Sequence, residues 1–167
     1  MLTHLHKKLD TLPELAHLKA SNRIHTVHHL ITDESPLPEP EFSKYLAGEN
    51  GGFDMVYSNY VLHHIENIQG IVDTMAKKLV KKGGWLIILD FEGHHVHGGP
   101  LDVYTDEDGK PLEFVAHKGG FTPENVADVF AKAGLVDISS TRSFGMFRDF
   151  RGTQVWTDVL VAKGRRP

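Results

Sequence analysis

Phe53-Asp54-Met55-Val56-Tyr57-Ser58 and Trp85-Leu86-Ile87-Ile88-Leu89, with a helical period between them, decide the fold of this chain. The second run is continuously apolar, the pattern of a parallel strand buried on both faces. Between the two, Ile65, Ile68, Val72, Met75 and Leu79 step by three and four, which predicts an amphipathic helix. Lys77, Lys78, Lys81 and Lys82 lead into Gly83, suiting the negative end of the helix dipole and a left-handed cap. A strand, a crossover helix and a second strand form the unit from which parallel sheets are built.

Downstream, Glu92 to Gly120 is irregular, and an excursion of that size within a domain is more often functional than idle. Thr122 then caps a helix with Pro123 in its first turn, and Gly134 ends it. Val126, Val129, Phe130 and Ala133 form its apolar stripe. Two closing strands are expected over Val136 to Phe144 and Thr153 to Ala162. The second alternates through Val155, Thr157, Val159 and Val161, as an antiparallel strand would.

Upstream, Leu2, Leu5, Leu9 and Leu12 recur at helical spacing before Pro13. Arg23 to Thr32 reads as a strand, and the prolines between Asp33 and Pro40 make a loop. A short helix over Phe42 to Ala47 and a turn over Gly48 to Gly52 complete the order. That alternation predicts a single α/β domain over residues 1–167, with a parallel sheet, helices on both faces and an antiparallel hairpin at the edge.

Composition narrows the function. A net charge of −4 provides no basic field for nucleic acid. Cysteine is absent, so thiolate chemistry and disulfides are excluded. No apolar run approaches a membrane span or a signal segment, and the expected location is the cytoplasm.

Three segments together resemble class I S-adenosylmethionine-dependent methyltransferases. Phe53 through Ile65 is similar to their fourth-strand motif, and Leu79 through Asp90 to the helix leading into their fifth strand. Gly120-Phe121-Thr122-Pro123-Glu124 through Ala133-Gly134-Leu135 is similar to the helix before their final hairpin. The resemblance implies a methyltransferase-like (Rossmann-like) sheet. Asp33 would then lie near the adenine, and Ser58 and Asn59 near the amino-acid end of the cofactor. The first glycine is Gly48, however, so the family's first two strands and glycine-rich turn have no counterpart here. Their loss exposes two strand edges, and each unpaired buried backbone group costs about 1–3 kcal/mol. A homodimer or a sheet completed by a partner is therefore expected.

Twelve histidines are many for 167 residues. His94, His95 and His97 follow the buried strand, where α/β folds place ligand-facing loops, and imidazole there shuttles protons. They and Asp90 are the catalytic candidates; Asp90 either orients a histidine or caps the loop. Capping strand ends is the alternative for the histidines, and no metal-ligand spacing is evident, so no metal is expected. Tyr60, His63, His64, Tyr104, His117 and Phe147 are candidates to contact a substrate, with a structural role the alternative for each. The leading expectation is an enzyme without cofactor that promotes cyclisation or isomerisation of an apolar small molecule. The alternatives are an S-adenosylmethionine-dependent methyltransferase, truncated or completed by a partner, and a non-catalytic subunit of one.

Overall fold

The computed structural model describes residues 7, 11–12, 25, 27–48, 51–97, 110, 116–117, 120–150 and 153–167, the side chains of 94–97, 150 and 153 excepted. The chain divides by its internal contacts into two units, Met1–Leu30 and Ile31–Pro167. In the first, Lys7 and Thr11 are helical, and Thr11 Oγ1 donates to the Lys7 carbonyl at 2.8 Å.

The second unit carries a four-stranded sheet. Its elements are β1 (Phe53–Asn59), α1 (Ile68–Thr74), β2 (Val80–His97), α2 (Pro123–Lys132), β3 (Val136–Phe150) and β4 (Thr153–Arg165). The strand order is β1-β2-β4-β3. β1 and β2 run parallel, with Met55 opposite Trp85 and Asn59 opposite Leu89. β4 lies antiparallel between β2 and β3. The closing hairpin thus lies at one edge of the sheet, as expected, with β4 joined to β2 and β3 outermost. Among the described strands the parallel pair β1-β2 forms the other half, with β1 as the second edge. No described residue between 25 and 32 is in a strand, so the element expected over Arg23 to Thr32 does not form there.

Local chemistry explains the helix ends. The Asn67 side chain accepts from Gly70 N at 3.0 Å and starts α1. A single π-helical turn, Met75–Leu79, then ends the segment at Val80, earlier than the Lys/Gly cluster predicts. Gly83, with φ 76°, falls inside β2, where its N–H donates to the Arg166 carbonyl at 2.8 Å. Thr122 Oγ1 accepts from Asn125 N at 3.3 Å and starts α2 as predicted. At the other end, Gly134 N donates to the Ala131 carbonyl and Leu135 N to the Phe130 carbonyl. Those paired bonds, with Gly134 at φ 83°, are a Schellman cap.

Both helices bury their apolar stripes on one face of the sheet. Val72, Met75 and Leu79 from the first helical segment meet Val126 and Phe130 from α2 over Leu86, Ile88, Leu160 and Ala162. The fully buried members, Phe130, Leu86, Ile88 and Leu160, are the strand and helix residues the apolar runs single out. On the opposite face Trp85, Ile87 and Leu89 are only half-buried. Their β1 neighbours Met55 and Tyr57 are 58% and 52% exposed.

Candidate functional site

The C-terminal end of β1 lies beside Leu89 in the middle of β2, and the chemistry-bearing residues gather there. Parallel pairing continues past β1 through Tyr60 N, which donates to the Leu89 carbonyl at 2.9 Å. Tyr60 then turns with φ 53°, a left-handed conformation costly for a bulky residue. The turn lays its ring on Phe91 at a centroid distance of 4.8 Å. Its hydroxyl donates to Met146 Sδ at 3.4 Å, which ties the β1 crest to β3. Burial pushes the Tyr60 phenol above its ordinary value, with Tyr57 and Asp90 adding to the shift and Arg148 opposing it. The Arg148 guanidinium sits 4.1 Å from the Phe91 ring centroid, a cation–π contact.

Beneath this crest lies the most constrained polar group of the site. Asp90 is completely buried, and its carboxylate accepts three hydrogen bonds. His63 Nδ1 donates to Oδ1 at 2.7 Å, His63 N to Oδ2 at 3.2 Å, and Phe91 N to Oδ1 at 2.7 Å. A buried carboxylate needs such partners, since an unpaired one is strongly disfavoured. The pair also fixes the imidazole: with Nδ1–H held by Asp90, neutral His63 keeps Nε2 as its acceptor nitrogen. His117 joins the group by donating its backbone N–H to the His63 carbonyl at 2.9 Å. Its Nε2 is 3.0 Å from the Ile65 carbonyl, so that nitrogen carries the proton.

The structure therefore brings together Asp90, His63, His117 and Tyr60. Among the described side chains, the histidine that Asp90 orients is His63. His64 packs its ring 4.0 Å from that of His63 and is exposed. Ser58 and Asn59 occupy the crest of β1, with Asn59 exposed. Asp33 is not brought to them. It pairs with Lys78 Nζ at 3.0 Å, in the last turn before β2, at the opposite end of the parallel strands. Phe147 is 64% exposed on β3 and meets the Trp156 ring edge-on at 4.9 Å. The backbone of His94, His95 and His97 extends β2, with His97 opposite Trp156. The side chains of those three, and Tyr104 entirely, lie outside the described residues.

Sequence reading missed two groups. Arg148 was hidden because the strand was expected to end at Phe144, before Gly145, whereas it continues to Phe150. Arg142 holds Glu92 in a two-pronged pair, Nε to Oε2 at 2.6 Å and Nη2 to Oε1 at 2.9 Å, and reaches Asp158 at 3.3 Å. It staples β3 to the end of β2, and its three residues are far apart in sequence. The Glu92 pairing holds the Arg142 guanidinium above its ordinary value.

Comparison with known proteins gives the family and the fold. The chain is 35% identical over 85 residues to an uncharacterized methyltransferase of Schizosaccharomyces pombe. That match covers 50% of this chain and 28% of the relative, so the chain spans under a third of the curated protein it matches. Among solved structures it is similar to the S-adenosylmethionine-dependent methyltransferase SibL in its apo form. The TM-score is 0.51 at 17% identity, over 92% of this chain and 40% of that one. YcgJ of Bacillus subtilis gives a TM-score of 0.50 at 14% identity, over 92% and 78%. Such identities show the fold. The expectation of a cofactor-free enzyme is overturned by the family match together with the S-adenosylmethionine dependence of the fold's neighbour SibL. The model of the methyltransferase domain matches residues 7–140, and the chain belongs to that family.

Proposed function

We propose that this chain is a methyltransferase that uses S-adenosylmethionine to methylate a small molecule at the crest of β1 and β2. The observation that carries the reading is the buried Asp90–His63 pair where parallel pairing ends at the C-terminal end of β1, the side on which open α/β sheets bind ligands. The crest fits part of a donor site. Ser58 and Asn59 offer hydroxyl and amide groups beside the left-handed turn at Tyr60. Among the described residues no glycine-rich turn joins a strand to a helix, so the phosphate-free nucleoside end of the donor needs residues from beside β1.

S-adenosylmethionine, when bound, supplies an electrophilic methyl group, and the acceptor gives up one proton as the new bond forms. His63 Nε2 is the atom that receives that proton, because Asp90 holds the ring with Nδ1–H turned inward. Asp90, which accepts from Nδ1–H, stabilises the positive charge that the ring takes on.

The same reading includes a homodimer. Among the described strands β1 is paired on one side only, beside exposed Met55 and Tyr57. An edge of this kind is a template for another strand. A second copy of the chain, paired about a twofold axis, is the proposed occupant.

Equilibrium dialysis with labelled S-adenosylmethionine tests the donor site. Saturable retention is expected, weakened in Asn59→Ala and unchanged in Asp33→Ala. Absence of retention, or equal retention in Asn59→Ala, overturns the reading.

A further inference from the structure

A second concavity lies on the helix-covered face, between α1 and α2. It has a volume of about 180 Å³ and is walled by Leu62, Ile68, Val72, Phe121, Val126 and Val129. Its remaining lining comes from Gly120 and two polar side chains, His117 and Asn125. The reading just given does not use this space; the two adjoin at His117, which lines the cavity and whose backbone N–H donates to the His63 carbonyl.

We infer that this cavity is a binding site for a single aromatic ring bearing one hydrogen-bond donor, such as a phenol. Size is the first argument. Cavities of roughly 150 Å³ lined by aliphatic and aromatic side chains stay dry and take up a benzene ring. The walls here are of that kind. The polar chemistry is the second argument. His117 Nε2 donates to the Ile65 carbonyl, which leaves Nδ1 of the neutral ring as an acceptor. No partner for that nitrogen is found among the described residues, and the His117 ring lines the cavity. With the Asn125 Oδ1 already accepting from Thr122, the His117 Nδ1 acceptor in this mainly apolar wall favours a ligand that brings one donor. A bare hydrocarbon would leave the nitrogen unmatched, and a charged ligand would be desolvated without a counter-ion. His117 already packs against Phe121 at 5.3 Å, so an aromatic guest would extend an existing ring pair.

The cavity is also placed to be entered. Asn125 at its mouth is exposed, on the first turn of α2, and its Oδ1 is held by Thr122 Oγ1 at 2.8 Å. The ligand site stands without any methyl donor, so its failure and the failure of the methyltransferase reading are separate outcomes.

The test is a titration of the protein with phenol and with toluene, read on the methyl resonances of Val72, Val126 and Val129. Phenol is expected to shift all three and to bind about fivefold tighter than toluene, the worth of one net neutral hydrogen bond. His117→Phe should abolish that preference while leaving both ligands bound. Val126→Phe should fill the space and remove binding of both, and Asn125→Trp, which changes only the mouth, should slow or block entry without touching the core. The inference is overturned if neither ligand shifts these methyls, if phenol and toluene bind alike, or if the preference survives His117→Phe.

Discussion

Replacing Asp90 with alanine should be among the most damaging single changes available in this protein. The carboxylate is wholly buried and accepts from His63 Nδ1, His63 N and Phe91 N. Truncation strands three buried donors at once. Each unsatisfied buried group costs about 1–3 kcal/mol, but partial relaxation and water entry reduce the sum, so we expect a loss of about 3–5 kcal/mol. Against a typical total of about 5–15 kcal/mol, that brings the fold close to its limit. For a domain of this size the melting temperature should fall by roughly 6–20 °C. Asp90→Asn is the informative companion. It keeps one acceptor oxygen but turns an amide N–H₂ toward a group that is itself a donor, so about 1–3 kcal/mol should be lost. Urea unfolding of the three proteins measures both values. If Asp90→Ala unfolds within about 0.5 kcal/mol of the parent, the ordinary scatter of surface changes, the carboxylate does not anchor this crest and the argument fails.

Three further outcomes are expected. Gly145→Ala would drive a methyl group into the Trp156 indole, so a loss of about 1–3 kcal/mol and a changed tryptophan emission are expected; native-like values would mean that the ring does not cover the glycine. Tyr60 binds its proton more tightly when folded, so its stabilising effect is present below the ordinary phenol range and is lost as pH rises through the raised value. Ultraviolet titration should show a tyrosine ionising above the ordinary phenol range, and Tyr60→Phe should remove that component. If copies pair along β1, sedimentation should show a dimer that Tyr57→Lys weakens, and a monomer at all concentrations would remove that part of the proposal.

No described helix is long and apolar enough to cross a membrane. Within the described residues the charged groups pair mainly at the surface. Lys81, for example, holds the Asp54 carboxyl below its ordinary range by a hydrogen bond and its charge. Such exposed pairs contribute little to stability.

Much of the fold was legible because period and punctuation are local. The apolar run at Trp85–Leu89, the Thr122-Pro123 start and the Gly134 stop each became the element they announce, since propensity and burial agree at those positions. The resemblance to methyltransferases rested on the same segments and was correct. The sequence misjudged elements whose limits depend on neighbours. β2 begins at Val80 and takes in Gly83, because pairing with β1 and with Arg166 outweighs the helical signal of the lysines. β3 runs to Phe150 because β4 supplies hydrogen bonds there, whatever its own residues prefer.

The site divides along the same line. Residue types alone marked His63, Asp90, Tyr60 and His117 as candidates, and the place of Tyr60 and His63 just after β1 follows from the α/β pattern. Which histidine Asp90 holds is a different kind of fact. Asp90 and His63 are 27 residues apart, and His97 lies nearer to Asp90 along the chain, yet parallel pairing of β1 with β2 places His63 at hydrogen-bonding distance. The cavity between α1 and α2 likewise draws on segments from Leu62 to Val129 that no periodicity connects. Sequence encodes the faces and ends of each element, because those depend on side chains three or four residues apart. Contacts between elements depend on register and packing, which exist only once the sheet has formed.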